Sequence, residues 1–293
     1  MKSCFHALAG AVLPAIALLV PALPLPARAA QSYDNCTGFI DSLPATITTQ
    51  GTWCLRQDLS TSVISGHAIT IATNNVTIDC NDFKLGGLAA GAGTLAVGIY
   101  AENRLNLTVR HCNIRGFRYG LVAAGGGHLV ERNGFDANTY IAINIEAAPG
   151  STIRGNRVID TGGSTSVAGS AYGIYVTGGV DVLDNTVNGV AATPSGGNSW
   201  AYGIRTNSNG EGSVSGNRVR GLAASGTGTI YGIYNANSAR LVVRDNDVQG
   251  NGVAGSGGLH CSTSNSRAKD NIVNGFATGI SGCGDAGGND ITP

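Results

Sequence analysis

Residues 172–187 read YGIYVTGGVDVLDNTV and contain both elements of a repeat that runs through the chain. The first element is Tyr172-Gly173-Ile174-Tyr175, and the second is an apolar-x-x-Asn-x-apolar motif at 182–187, centred on Asn185. In each, apolar side chains alternate with polar ones, which is typical of a short strand that buries one face. One such pair of strands has too little apolar surface to fold alone, so stacked copies must share a core.

Copies of both elements alternate along most of the sequence. The central Asn recurs at intervals of 21 to 32 residues, with Cys112 in its place in one copy. These central residues are Asn81, Cys112, Asn133, Asn156, Asn185, Asn217, Asn246 and Asn271. The interval fits one coil of a β-solenoid with loops of variable length, and Asn both tolerates a tight turn and stacks its amide on the next one. The sequence therefore predicts an all-β fold, a parallel β-helix of about nine to ten coils.

Two other repeat folds fit the sequence less well. A β-propeller requires four strands per blade and a period of about 40 to 50 residues. A leucine-rich repeat requires more leucine and a stricter period. Neither accommodates the repeated Asn turns at this spacing.

The first residues resemble an export signal. Lys2 provides the basic start, an apolar run follows from residue 7 to residue 23, and Ala27-Arg28-Ala29 is a small-x-small cleavage site. The alternative, a membrane anchor, requires about 20 unbroken apolar residues. We therefore predict a signal peptide at 1–29, cleavage near Ala29, no membrane span afterwards, and a secreted or periplasmic product.

The remaining chain divides into three predicted segments. Residues 30–66 are expected to form an N-terminal cap and a first irregular coil, with one helical turn around Phe39, Ile40 and Leu43. Residues 67–283 form the β-helix, and 284–293 are a C-terminal tail. Open ends of a solenoid expose strand edges, which is why a cap is expected.

Charge and cysteine content limit the function. Removing Lys2 and Arg28 from 18 basic residues leaves 16 against 18 acidic ones, a net charge of about −2 that gives no reason to expect nucleic acid.

Six cysteines remain after Cys4, an even number that indicates disulfides in an exported chain. Neighbouring positions favour three pairs, namely Cys36–Cys54, Cys80–Cys112 and Cys261–Cys283. No Cys-x-x-Cys pair occurs, so zinc has little support.

The repeats resemble those of the pectin-lyase-like superfamily of right-handed parallel β-helices, over residues 67–283. The resemblance implies three strands per coil: Tyr-Gly-Ile first, a strand such as Leu107-Thr108-Val109 second, and the Asn-x-apolar segment leading the third. Members include polysaccharide lyases, galacturonan hydrolases, uronate epimerases, phage tailspikes, a periplasmic copper-maturation protein and surface adhesins, so the fold alone does not decide function. The Asp-Asp, Gly-His-Gly and Arg-Ile-Lys motifs of the hydrolases and the Asp-Pro-His of the epimerases are absent. No catalytic residue is assigned; an enzyme, if this is one, would be lyase-like.

In enzymes of that superfamily the site usually lies over the first strand of each coil. Alternation places the residue after each inward Ile or Leu on the outer face. The predicted substrate-binding residues on this face are Tyr100, Glu102, Asn144, Glu146, Tyr175, Arg205, Asn207, Tyr234 and His260. Aromatic rings can stack on sugar rings, and Arg, Glu and Asn can hydrogen-bond hydroxyl groups or a carboxylate. Three long loops, 161–171, 190–201 and 222–230, precede such strands and are expected on one side, as the frame of a site or as neutral insertions.

The partner predicted from this face is a polysaccharide or cell-surface glycan, with Arg205 suited to an acidic sugar. The main alternative is a structural or surface-interaction solenoid in which tyrosines only stabilise the coils. A periplasmic metal-handling protein is a third, less favoured alternative. No cofactor or metal is predicted: His111, His128 and His260 do not share a column, and calcium at Asp245 and Asp247 has no further support. Glu102 and Glu146, two coils and about 10 Å apart at the backbone, form a weak candidate carboxylate pair.

Overall fold

The computed structural model describes residues 33–193, 198–207, 211–237 and 240–293. The predicted signal peptide, 1–29, lies outside these residues. Within the described part, the chain winds through three parallel sheets in turn, and each strand pairs with the equivalent strands of the coils before and after it. This is the predicted parallel β-helix.

Sheet 1 contains the Tyr-Gly-Ile strands. Its ten strands, in order along the described chain, are Ala45–Ile47, His67–Ile71, Val97–Leu105, Tyr119–Gly126, Ile141–Glu146, Ala171–Val176, Ala201–Thr206, Ile230–Asn235, Gly257–Cys261 and Thr278–Ser281.

Sheet 2 follows sheet 1 in each coil. Its eleven strands among the described residues are Gly38–Ile40, Gly51–Leu55, Val76–Asp79, Thr108–Arg110, Leu129–Glu131, Ser151–Arg154, Val180–Leu183, Glu211–Ser215, Arg240–Arg244, Arg267–Lys269 and Gly284–Asp285.

Sheet 3 begins just after each repeated Asn. Its ten strands in the described residues are Leu59–Ser60, Lys84–Gly86, Asn113–Arg115, Gly134–Asp136, Arg157–Gly162, Thr186–Ala191, Arg218–Ala223, Asp247–Gln249, Ile272–Asn274 and Asp290–Thr292. A short 3₁₀-helix, Leu88–Ala90, lies in the loop before the strand Val97–Leu105. Among the described residues, no helix is long and apolar enough to cross a bilayer.

The core fills the space between the sheets. The predicted inward residues of sheet 1, such as Ile99, Ile143 and Ile174, are fully buried. Phe117 and Phe135, the second of which belongs to a sheet 3 strand, are fully buried as well. Because every coil contributes at the same positions, the buried side chains form one continuous core along the stack.

From Asn133 onward the repeated asparagines form a buried ladder, as their spacing predicts, whereas Asn81 is half-buried and lies outside it. The Oδ1 of Asn156 accepts hydrogen bonds from the backbone N–H and the Nδ2 of Asn133, at 3.0 Å each. The same pattern continues through Asn185, Asn217 and Asn246 to Asn271 and on to Asn289. Each amide thereby satisfies backbone groups that the turn would otherwise leave buried and unpaired.

All three predicted disulfides are present. Cys36–Cys54, Cys80–Cys112 and Cys261–Cys283 have Cα–Cα distances of 5.8, 4.7 and 4.9 Å, which are distances between neighbouring coils. Cys80 and Cys112 are completely buried at the start of the asparagine ladder.

The predicted helical turn near residue 40 is wrong. Gly38–Ile40 is a strand of sheet 2 and pairs in register with Trp53, Cys54 and Leu55. The disulfide from Cys36 to Cys54 and the edge of the next strand offer this segment backbone partners that a single isolated turn lacks. Strands of the same sheets thus occur within residues 30–66, and also within 284–293, where Asp290–Thr292 pairs with Ile272–Asn274.

Candidate functional site

The outward residues of sheet 1 form the column that alternation predicts. Asn144 is directly opposite Tyr175, which is opposite Arg205, which is opposite Tyr234, and His260 follows. Neighbouring members lie one strand spacing apart, about 4.8 Å. Interactions along this column therefore connect successive coils.

A second column of tyrosines lies beside the first, and the sequence reasoning missed it. Tyr119, Tyr172, Tyr202 and Tyr231 align in register, with Ile141 between the first two. Strict alternation from Ile174 would direct Tyr172 inward. Instead both Gly173 and Ile174 face the core: a Cβ on Gly173 would lie 2.5 Å from Val187 Cγ1. The Gly in each Tyr-Gly-Ile motif was the available signal, because it marks a break in alternation.

The tyrosine rings of the second column stack on one another. Tyr172 and Tyr202 have centroids 5.1 Å apart with planes within 5°, and Tyr202 and Tyr231 are 5.5 Å apart within 11°. In the first column His260 stacks on Tyr234 at 4.7 Å. The sequence predicts that the Tyr234 ring stacks on a sugar. In the structure the His260 ring already covers one face of Tyr234.

Arg205 lies among four of these rings. Its Cζ is 5.2 to 5.7 Å from the ring centroids of Tyr172, Tyr175, Tyr202 and Tyr234, and its Nη1 donates a hydrogen bond to Tyr172 Oη at 3.1 Å. Within the described residues, no carboxylate lies within 4 Å of it, and its buried Nε–H has no acceptor. Cation–π attraction to these rings therefore stabilises the Arg205 guanidinium in the absence of a neighbouring carboxylate.

A depression of about 190 Å³ opens in the outer face beside Arg205. It forms at the strand Ile141–Glu146, where Ile141 and Asn144 occupy positions that carry Tyr172 and Tyr175 in the next coil. Its lining consists of four tyrosines, two charged side chains, Ile141 and Asn144: Tyr119, Tyr140, Ile141, Asn144, Glu146, Tyr172, Tyr175 and Arg205. The absence of these two rings from one coil thus leaves a concavity beside Tyr172 and Tyr175.

Asn144 is only 4% exposed and has a fixed orientation in this depression. Its Nδ2 donates to Glu146 Oε1 at 2.7 Å, so its Oδ1 is the remaining polar atom. That oxygen is buried and has no hydrogen-bond partner among the described residues. A buried acceptor without a donor is unfavourable and is uncommon in folded proteins.

The other predicted site residues lie apart from the depression. Tyr100 donates a hydrogen bond to Glu102, and His67 stacks on the Tyr100 ring at 3.8 Å, two strands from Asn144 along the stack. Asn207 contacts the Tyr175 hydroxyl through Nδ2 at 3.4 Å, and Tyr234 and His260 lie beyond Arg205. The structure therefore brings together Asn144, Glu146, Tyr175 and Arg205 of the nine.

Burial keeps the phenols of this face protonated. It raises the pKa of Tyr140 and of Tyr202 to about 12, and it also raises the pKa of Tyr119. Nearby Arg118 and Arg205 act in the opposite direction, with a smaller effect. At neutral pH these hydroxyls remain O–H groups that can donate hydrogen bonds.

The long loops lie on one side, as predicted, and contact one another. Antiparallel bridges join Gly169 to Thr193 and Ser199 to Ser225, which links consecutive loops. Trp200 packs against the tyrosine cluster. At the other end, Thr165 N–H donates to Ala92 O at 3.1 Å. The described parts of these loops thus border one edge of sheet 1.

A larger groove, of about 400 Å³, lies on the outer face of sheet 3. Its charged side chains include two ion pairs, Asp58–Lys84 at 3.3 Å and Arg115–Asp136 at 2.8 Å. Arg115 Nε is buried without an acceptor in this groove, but only the sheet 1 depression combines an unpartnered donor, Arg205 Nε, with an unpartnered acceptor, Asn144 Oδ1, among the described residues, so we place the candidate site on sheet 1. In the described part of the chain no three His, Cys, Asp or Glu residues cluster as metal ligands.

The comparison with known protein families agrees with this architecture. Residues 48–196 match the family described as "Right handed beta helix region". Two solved structures are similar, each with a TM-score of 0.43 and 87% of this chain covered. One is the Dettilon tailspike protein (gp208), at 15% identity, and the other is the catalytic unit of a thermostable GH87 alpha-1,3-glucanase from Streptomyces thermodiastaticus strain HF3-3, at 14%. The alignments cover 60% and 61% of those two chains. No curated protein matches the sequence.

Proposed function

The chain belongs to the right-handed β-helix family, and we propose that it binds polysaccharide or a cell-surface glycan along the outer face of sheet 1. The observation that carries this proposal is the depression beside Arg205, whose lining combines aromatic rings with hydrogen-bonding groups that have no protein partner. Sugar sites need this combination, since a sugar ring presents apolar C–H faces and a rim of hydroxyl groups.

The surroundings of the depression support an extended ligand. Tyrosine rings continue along sheet 1 through Tyr202 and Tyr231, and the joined loops border one edge. Functional residues often lie between loops that a rigid scaffold positions. A depression of about 190 Å³ is smaller than the pockets that enclose drug-sized ligands, so it would take one unit of a chain that lies across the face.

The proposal is limited to binding. Glu102 and Glu146 are held separately, by Tyr100 and by Asn144, and we assign neither a role in bond cleavage. We also propose that the protein works outside the cytosol, as its sequence predicts. Three disulfides between neighbouring coils suit an oxidising compartment.

A structural role for the tyrosines is the second candidate. It is favoured by the stack of Tyr172, Tyr202 and Tyr231, whose ring faces contact each other. Such cross-strand aromatic pairs stabilise sheets without any ligand. In that case the face would be a surface of a structural solenoid, and the depression would have no occupant.

One set of variants separates the two candidates. Purified wild type, Tyr175→Ala and Arg205→Lys are compared on a glycan array and in thermal unfolding, with Tyr231→Ala as a control in the ring stack. For a binding face, Tyr175→Ala weakens glycan binding by about 1 to 3 kcal/mol, and Arg205→Lys weakens it by loss of the planar guanidinium. Tyr231→Ala chiefly lowers the melting temperature.

The structural candidate gives a different pattern. Both tyrosine changes then lower the melting temperature through lost ring packing, and Arg205→Lys has almost no effect. The absence of binding by the wild type to any glycan at millimolar concentration would overturn the binding proposal and leave the structural role.

A further inference from the structure

We propose that the depression at Asn144 binds the acetamido group of an N-acetylated amino sugar. This inference rests on the proposed polysaccharide-binding function and specifies the sugar. The observation behind it is that the lining contains one unpartnered acceptor, Asn144 Oδ1, and one unpartnered donor, Arg205 Nε–H, on opposite sides of Tyr175.

The two unpartnered atoms define what a ligand must offer. Glu146 accepts the hydrogen bond of Asn144 Nδ2, which leaves Oδ1 to accept an N–H or O–H from outside. Arg205 uses Nη1 for Tyr172 and leaves Nε–H to donate. A group that donates at one end and accepts at the other satisfies both atoms, and recovers the free energy that each loses while unpaired.

The spacing suits a secondary amide. Asn144 and Arg205 are two strand spacings apart, about 9.6 Å between their backbones. In a trans amide the N–H and the C=O point in opposite directions. An amide with a hydrogen bond of about 2.9 Å at each end spans about 8 Å. The span of a hydrogen-bonded acetamido group is thus close to the two-strand spacing between these residues, which is the basis for placing it across Tyr175.

The rest of the lining suits the methyl group and a neutral charge. Ile141 and the tyrosine rings provide apolar contact for the acetyl methyl. Glu146 and Arg205 carry opposite charges, so a uronate carboxylate attracted by Arg205 would also be repelled by Glu146. The acidic sugar expected from Arg205 alone is thus less favourable here than a neutral amide.

Entry to the site requires one movement. Asn144 Oδ1 and Arg205 Nε are both enclosed in the free protein, whereas the Glu146 side chain is exposed. The side chains that enclose these two atoms must move apart, while Glu146 keeps the hydrogen bond from Asn144 Nδ2 that leaves Oδ1 to accept from the ligand.

Matched oligosaccharides test the inference by titration calorimetry on the full exported chain. Chitotetraose and cellotetraose share one backbone and differ in having acetamido or hydroxyl at C2, and tetragalacturonate supplies the carboxylate. We expect chitotetraose to bind at least about tenfold more tightly than cellotetraose, as for one well-made buried hydrogen-bonded group. Tight binding of tetragalacturonate with no preference for chitotetraose would overturn the inference and leave the proposed function intact. Failure of these three and of every glycan on the array would overturn both.

Asn144→Leu tests the residue itself. The variant removes the unpaired acceptor at similar volume, so it should abolish the preference for chitotetraose while the melting temperature stays the same or rises. Asn188→Leu, the same change at an exposed position of sheet 3, is the matched control and should leave the preference unchanged. A lower melting temperature for Asn144→Leu together with an unchanged preference would show that Asn144 serves only to hold Glu146, contrary to the inference.

Discussion

Asn133 Oδ1 accepts the backbone N–H of Cys112 at 3.0 Å, so the asparagine ladder begins at a disulfide-bonded cysteine. Cys112 occupies the repeat position that Asn holds in the later coils. Its sulfur cannot continue the amide ladder, but the disulfide to Cys80 makes a covalent link in the same direction. Along this buried column a disulfide therefore links the coils of Cys80 and Cys112, and hydrogen bonds link the coils from Cys112 onward.

Replacing a central member of the ladder should be strongly destabilising. Asn185→Ala leaves the backbone N–H and the Nδ2 of Asn156 without their acceptor, in a fully buried position. We expect a loss of about 3 kcal/mol or more in the free energy of unfolding, measured by urea denaturation. Asn289→Ala, at the half-buried last position, is the control and should cost less. Equal losses would contradict a ladder that stabilises through burial.

The three disulfides should differ in their resistance to reduction. Non-reducing peptide mapping is expected to recover Cys36–Cys54, Cys80–Cys112 and Cys261–Cys283. Cys80 and Cys112 are enclosed, whereas Cys36 and Cys283 are half-buried, so a thiol reductant should open the Cys80–Cys112 bond last. Mass spectrometry after timed reduction and alkylation gives the order. Early loss of Cys80–Cys112 would mean that the first coils open readily.

Protonation of His128 should destabilise the fold at mildly acidic pH. His128 is 2% exposed, its Nδ1 accepts the Leu107 N–H at 3.2 Å, and burial lowers its pKa. Below about pH 6.5 the unfolded chain binds a proton that the folded chain does not, so stability falls as pH decreases from there towards the lower folded pKa.

The matching variant is His128→Gln, which keeps an acceptor for Leu107. Urea denaturation at pH 7.5 and pH 5 should show a smaller decrease in unfolding free energy for the variant than for the wild type. Parallel decreases in the two proteins would place the pH sensitivity elsewhere, for example at His67 or His260, whose pKa values burial also lowers.

Adding one methyl group at Gly173 should disrupt the tyrosine columns. A Cβ there would lie 2.5 Å from Val187 Cγ1 and 2.7 Å from Gly203 O, so Gly173→Ala must shift the strand or the core. Overpacking of this kind typically costs about 1 to 3 kcal/mol. We expect a lower melting temperature together with a weaker near-ultraviolet tyrosine signal, because Tyr172 loses its alignment with Tyr202. An unchanged signal would show that the ring stack does not depend on this glycine.

The repeat predicted most of the fold, because burial and register act on the same residues in each coil. Ile174 and Tyr175 face in and out as alternation requires. Alternation would direct Tyr172 inward, but its side chain lies on the outer face because Gly173 faces the core and breaks the period of two. Asn289 escaped notice because it follows Asn271 after only 18 residues, a shorter interval than any earlier one. The depression arises because Ile141 and Asn144 stand where the next coil has Tyr172 and Tyr175. The column that contains Ile141 and Tyr172 was not identified from the sequence, so the depression could not be predicted.

The contact between the loop at Ser166 and the loop at Gly93 has a consequence for folding. In an ideal solenoid each coil touches only its immediate neighbours, so the stack can open one coil at a time. The Ser166 hydroxyl donates to Gly93 O across 73 residues and past the two coils between them. Coils that would otherwise open independently must then open together. This part of the molecule should behave in hydrogen exchange as a single cooperative unit, which also holds the walls of the candidate site.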